Sequence, residues 1–172
     1  MLVAAIFVIF PFCMVFAAVS DTLSMTIANR TSVVLIAAFA VIAPMTGMDW
    51  VTYGWHFAAG GLVLAVTFTL FAIGGMGGGD AKLLAATALW MGFGIPLVLY
   101  LVVAAVAGGL LTVAIVFFRG SPLAVSTRNI FLRNFADPRA GVPYGVALGI
   151  GGLFAYPETA LMVWAVERLS GH

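Results

Sequence analysis

Long apolar runs, broken by short polar or glycine-rich stretches, recur along nearly the whole chain. A helix that crosses a bilayer needs about 20 mostly apolar residues, with about 17 to 25 tolerated. On that ruler the pattern predicts six helical spans, at Leu2–Ser20, Ser32–Thr46, Trp55–Ile73, Ala81–Phe93, Pro96–Phe118 and Val142–Val166. The second and fourth are short for a full crossing, so tilted or protein-buried helices are expected there. The first run resembles a secretory signal, with Ala17-Ala18-Val19-Ser20 as a loose cleavage region. It lacks a positive flank, however, and is expected to stay as a permanent span. The fold expectation is all-α: a polytopic integral membrane protein of about six transmembrane helices, forming one membrane-embedded domain over residues 1–172.

Composition agrees, since 64% of the residues are hydrophobic, whereas soluble domains lie near one half. The single cysteine, Cys13, sits inside an apolar run and can support neither an internal disulfide nor a cysteine-rich zinc site. With His56 and His172 the two histidines, neither a metal centre nor another cofactor is expected, and carboxylates are the ligands left for any ion. A net charge of +1 without a basic run gives no reason to expect nucleic acid as a partner.

Charge also orients the spans. Arg30, Lys82, Arg119, Arg128, Arg133 and Arg139 fall on one side of the predicted membrane and Arg168 on the other, which makes the first side cytoplasmic. Both termini then face outward. Asp49 and His56 lie near the outer turn between spans two and three, flanked by Trp50, Tyr53 and Trp55 as an interfacial aromatic belt. His56 reads as an interfacial residue, not a ligand. Asp137 falls in the longest loop, Gly120 to Gly141, whose Pro, Asn, Asp and Arg content is that of solvated surface chain. The remaining pair is more telling: Asp21 ends span one, Asp80 opens span four, and this topology puts both at the cytoplasmic edge.

Asp80 follows a glycine run, Gly74-Gly75-Met76-Gly77-Gly78-Gly79. A phosphate cradle is a poor fit, because no Lys-Ser or Lys-Thr follows, the dinucleotide spacing fails, and the run ends in an anion. A flexible turn whose glycines reach positive φ explains the run but not the acid beside it. Capping the next helix would suit Asp80. It would not suit Asp21, which sits at a helix C-terminus, the unfavourable end of the dipole. An ionised group near hydrocarbon costs about 2.5 to 3.5 kcal/mol even on lenient scales, and 8% of this chain is charged. Two carboxylates brought together can share one proton, one acting as base and the other as acid, which is how an aspartic peptidase activates water.

The motifs themselves resemble a family. Gly77-Gly78-Gly79-Asp80 matches the Gly-x-Gly-Asp signature of membrane aspartic peptidases, and Ala81-Lys82-Leu83-Leu84 continues it as in prepilin peptidases. Asp21 through Arg30 resembles the segment after that family's first catalytic aspartate, with Ala28 where the family usually has proline. Val142-Pro143-Tyr144-Gly145-Val146-Ala147 resembles the opening of the family's last helix. The chain is most similar to the short prepilin peptidases of the TadV/CpaA type, which serve Flp (type IVb) pilus assembly. The resemblance implies Asp21 and Asp80 as the catalytic pair and Gly77 and Gly79 as the active-site loop. It makes Asn29, Lys82, Pro143, Tyr144 and Gly145 candidates for substrate binding or support.

The implied substrate is a prepilin or pseudopilin whose basic leader is cut just before its hydrophobic helix, at the cytoplasmic face of the bacterial inner membrane. Membrane lipid and the pilus assembly machinery would be the other partners. Longer relatives add a cytoplasmic domain with paired cysteines and a methyltransferase activity, neither of which is expected here. Lys82 lies about 200° around a helix from Asp80 and is expected to anchor the helix end at lipid phosphate. Gly141, Gly145 and Gly149, at four-residue spacing, are expected to permit close helix packing. A small proton- or cation-coupled transporter or channel subunit is the alternative. It calls for acids near mid-membrane and two similar halves, and no convincing repeat is found. A subunit of a secretion complex without activity would leave two matched aspartates without purpose.

The charge asymmetry makes a direct prediction. Reporter fusions after Arg30, Lys82 and Arg133 should report cytoplasm, and fusions near Trp50 and His172 the outside; a periplasmic signal at Arg133 would overturn the six-span topology.

Overall fold

The computed structural model describes residues 1–121, 135–136 and 141–171. Arg128, Arg133, Asp137, Arg139 and His172 lie outside the described residues, as does most of the Gly120–Gly141 loop. The helices are α1 (Leu2–Ser24), α2 (Asn29–Met45), α3 (Trp50–Ala72), α4 (Gly78–Met91), α5 (Ile95–Arg119), α6 (Tyr144–Ala155) and α7 (Ala160–Ser170), with a 3₁₀ turn at Tyr156–Glu158. The described residues contain no strand, and the fold is that of an all-α polytopic membrane protein. By length and composition α1, α3 and α5 can each cross a membrane, and α6 with α7 makes a fourth span if the bent pair is counted as one.

Two expectations about the spans are corrected. The first helix runs one turn beyond Ser20, to Ser24, and ends at Met25 in the left-handed conformation (φ 52°), so Asp21 lies within its last turn. The expected continuous span Val142–Val166 is broken, its two parts meeting at 50°. Pro157, without an N–H, sits in the intervening turn, and Thr159 then restarts the helix. The Thr159 hydroxyl donates to the Tyr156 carbonyl at 2.8 Å and accepts from the Met162 N–H at 3.4 Å, so the break is capped on both sides.

Helix α4 is the hub, with α2, α3, α5 and α6 packed around it. Its 14 residues rise only about 21 Å, short of a hydrocarbon core of about 30 Å. Protein surrounds it, so its ends need not reach the headgroups. Every residue from Leu83 to Met91 is buried, many of them alanines that let neighbouring helices approach. Trp90 closes the half away from Asp80: its indole N–H donates to the Leu35 carbonyl at 3.0 Å, and its ring meets Phe10, Phe39 and Tyr156. The Tyr156 ring stacks on Phe10, and its hydroxyl donates to the Ile6 carbonyl at 2.7 Å.

His56 is not interfacial as expected. It is buried beside Phe39, its Nδ1–H donates to the Leu89 carbonyl at 2.8 Å, and Gly92 lies against its ring. Trp50 and Trp55 remain exposed at this end, where a lipid interface would take them.

Helix α6 is a wedge between α1 and α5 whose glycines make room on both sides. A Cβ at Gly149 would lie 3.1 Å from the Met14 carbonyl oxygen, and one at Gly152 would lie 2.8 Å from the Met14 sulfur. On the other flank a Cβ at Gly151 would lie 2.9 Å from the Ala104 Cβ and backbone nitrogen. In α3 the same device appears at Gly60, against Ala85 and Leu89. Gly141 has open space around it and does not join the expected packing stripe; Gly145 and Gly149 do.

These contacts separate packing glycines from idle ones. Gly149→Leu and Gly151→Leu should each destabilise the purified protein by about 1 to 3 kcal/mol, read as a fall in Tm in detergent. Gly61→Leu and Gly109→Leu, where a Cβ meets nothing within 4 Å, should leave Tm nearly unchanged; equal losses at all four would remove the wedge.

Candidate active site

Helix α1 ends, α2 begins, α3 ends, α4 begins, α5 ends and α6 begins at one end of the bundle, and Asp21 and Asp80 meet there. Both line a cavity of about 500 Å³ together with Met25, Met76, Val142, Tyr144 and Leu148. Both also line a second cavity of about 280 Å³, on the side of Thr26 and Asn29.

Asp21 is buried, and its Oδ2 accepts the Gly145 N–H at 2.7 Å. Gly145 is the second residue of α6, so the acid that sits at the unfavourable end of its own helix sits at the favourable end of another. Contact is this close because residue 145 has no side chain: a Cβ there would lie 2.8 Å from the Asp21 Cβ and 2.9 Å from its Oδ2. Pro143, fully buried, is the N-cap that aims the α6 amides. Tyr144 is pinned to α5. Thr112 commits its proton to the Gly108 carbonyl at 2.7 Å, so the Tyr144 hydroxyl is the donor in their 3.2 Å contact.

Asp80 lies in the first turn of α4. The glycines before it do separate jobs. Only Gly74 takes positive φ (78°), and it ends α3 in a Schellman motif. In that motif Gly75 N–H donates to the Leu70 carbonyl at 2.8 Å and Gly74 N–H to the Phe71 carbonyl at 3.0 Å. Gly77 and Gly79 have no such φ, so a turn that needs positive φ accounts for Gly74 and not for these two. Their small size is what the site uses. A Cβ at Gly77 would lie 2.7 Å from the Asp80 Oδ2, and one at Gly79 would lie 3.2 Å from the Ile27 Cβ and 3.4 Å from its carbonyl oxygen. The α1–α2 connection thus packs directly on the glycine turn.

Lys82 does not point at the acids, in keeping with its position around the helix. Its ammonium donates to the Asn29 Oδ1 at 3.0 Å, tying the first turns of α4 and α2 together. That contact uses one of the three ammonium protons, and the side chain is otherwise exposed. Arg119 is a residue that sequence reasoning noted only for its charge. Its Nε–H donates to the Phe135 carbonyl at 2.9 Å and its Nη2 to the Gly141 carbonyl at 3.1 Å, holding the strand of chain that enters α6 beside the cavity. The only hint in the sequence was a cation in the last turn of a helix, which the dipole also favours.

Comparison with known proteins bears on this end of the bundle. No curated protein and no solved structure matches the chain. The family described as the type IV leader peptidase family is matched over residues 8–117, a stretch that runs from within α1 to the end of α5 and includes both Asp21 and Asp80. With well over half of its length matched, the chain belongs to the type IV leader peptidase family.

Proposed function

We propose that the protein is an aspartic endopeptidase that removes leader peptides from type IV prepilins, residues 1–172 acting as one membrane-embedded peptidase domain. The observation that carries this reading is the meeting of Asp21 and Asp80, from opposite ends of the α1–α4 sequence, at one cavity. Like charges about 3 Å apart cannot both ionise, so such a pair starts with one proton between them. Asp21 begins ionised, since the Gly145 N–H at Oδ2 is a donor that suits a carboxylate. Its other oxygen takes a proton from water as the water oxygen bonds to the scissile carbonyl carbon. Asp80 gives its proton to the carbonyl oxygen, leaving a tetrahedral diol. As the C–N bond breaks, Asp21 returns its proton to the leaving amine and Asp80 recovers one from the diol, which restores the starting state. Titration belongs to the pair, not to either acid.

The motifs support the finer reading: the Gly-x-Gly-Asp signature at Gly77–Asp80, and the short TadV/CpaA type with Flp (type IVb) prepilins as substrates. Arg30, Lys82 and Arg119 lie at the same end of the helices as the two acids, which supports a site at the cytoplasmic face of a bacterial inner membrane. A prepilin held by its hydrophobic helix in the same membrane would present its basic leader at that level.

Asp21→Asn and Asp80→Asn should each lower cleavage of a prepilin leader on the order of 10³-fold or more, and the double mutant should be scarcely worse, as for groups that act as a unit. Glutamate at either position should cost about a hundredfold, since one methylene misplaces the carboxyl. Asp49→Asn is the control. Asp49 caps α3 at the opposite end, where the Thr52 hydroxyl and the Thr52 and Val51 amides hold its carboxyl below the usual range. Gly79→Val should abolish cleavage while the protein still inserts, whereas Gly75→Ala, with an ordinary 3.4 Å contact to the Leu70 carbonyl oxygen, should retain it. Gel-shift assays of coexpressed prepilin read all of these, and wild-type turnover by Asp80→Asn would sink the aspartic mechanism.

A further inference from the structure

The two acids that meet at the larger cavity also line the smaller one, and so form the partition between the two. Asp21, Met25, Gly77 and Asp80 line both the 500 Å³ and the 280 Å³ cavity, so both cavities open onto the same pair of carboxyls. The walls differ in chemistry. Beyond the shared residues, the larger cavity is faced by the side chains of Met76, Leu148, Val142 and Tyr144 and by Gly74, Gly75 and Gly141. Leu148 lies one turn further into the bundle than Tyr144, and methionine is unbranched and adapts to bulky apolar shapes. The smaller cavity is faced by Thr26, Ile27, Asn29 and the backbone of Gly78 and Gly79.

That smaller wall is held in place and has a donor to offer. The Thr26 carbonyl accepts from the Ser20 hydroxyl at 3.2 Å; the Ser24 hydroxyl gives its proton to the Ser20 carbonyl at 2.7 Å and accepts from the Thr26 hydroxyl at 2.9 Å, which fixes the turn between α1 and α2. Lys82 is a donor only, so the Asn29 amide must present its oxygen to the ammonium. Its NH₂ is then left to donate. A peptide backbone in the smaller cavity offers carbonyl oxygens to such a group.

We propose that the partition reads the direction of the substrate. The larger, apolar cavity takes the side chain that follows the cleaved bond, the first residue of the hydrophobic helix. The smaller cavity takes the end of the leader, with Asn29, oriented by Lys82, donating to a leader backbone carbonyl. Met76 and Leu148 are the residues that set which side chain is accepted after the bond. This inference rests on the peptidase reading above.

The test uses the full-length enzyme in detergent and a model prepilin carrying Ala, Leu or Phe immediately after the cleaved bond, with kcat/KM measured for each. Met76→Trp narrows the larger cavity and should lower cleavage of the Phe substrate at least tenfold relative to the Ala substrate. Met76→Ala widens it and should move the same ratio the other way. Met76 lies in the glycine turn and is only half-buried, and the opposite-sense variant keeps the test open if one protein accumulates poorly. Asn29→Asp keeps a partner for Lys82 but loses the NH₂ donor. It should raise KM severalfold for all three substrates, with kcat changed less and the Phe-to-Ala ratio unmoved. If the wild type cleaves none of the substrates, the peptidase reading itself fails. If it cleaves them but the Met76 variants leave the ratio unchanged, the direction proposed here is wrong.

Discussion

The hydrogen bond from the Gly145 N–H to Asp21, at 2.7 Å, is the contact on which the rest of this end of the molecule depends. A carboxylate in the last turn of α1 faces its own helix's carbonyl end, which repels it. The opening turn of α6 supplies the opposite field and a free amide, so the acid and the helix end satisfy each other. The match explains why α6 begins where it does, with a buried proline as cap and a glycine next to the acid, and why the chain leading into it is held by Arg119.

A second constraint is distance. Helix packing within a bilayer gains little from the hydrophobic effect, because lipid tails are as apolar as leucine, and close van der Waals contact has to replace it. Glycine weakens a helix by about 1 kcal/mol relative to alanine, yet α6 carries Gly145, Gly149, Gly151 and Gly152 in 12 residues. Each of them lies where a Cβ would meet α1 or α5 within about 3.1 Å. The loss of helix propensity is offset by contacts that larger residues would prevent. The same residues that hold α6 against α1 thereby hold the Gly145 amide against Asp21.

Much of this was legible in the sequence. The apolar runs marked the helices because a bilayer leaves few alternatives to a helix, and two acids in a nearly uncharged chain stood out against their desolvation cost. What was not legible depended on partners far away in sequence. The break at Pro157 was hidden because its flanks are apolar on both sides, and a proline alone does not say whether a helix kinks or ends. His56 looked interfacial because its neighbours are Trp55 and Tyr53; its burial is set by α4, whose Leu89 carbonyl accepts its Nδ1–H. The glycine run looked uniform, although only Gly74 needs its backbone freedom and Gly77 and Gly79 need only their lack of volume. Composition does not distinguish those two uses.

The shortness of α4 is the last consequence. A helix that stops short of a full crossing and is wrapped by protein can place its first turn below the headgroups without exposing its orphan amides to hydrocarbon. Asp80 sits in that turn, and the glycine link to α3 lies over it where a bulky loop would fill the cavity. A full-length span in the same place would carry its first turn out toward water, where a carboxylate is readily solvated and ionised. On the proposed mechanism that would be a defect, since one of the two acids has to keep a proton. On that proposal, burying the start of a short helix beneath a loop of small residues would be a way of keeping an acid within reach of water without solvating it fully.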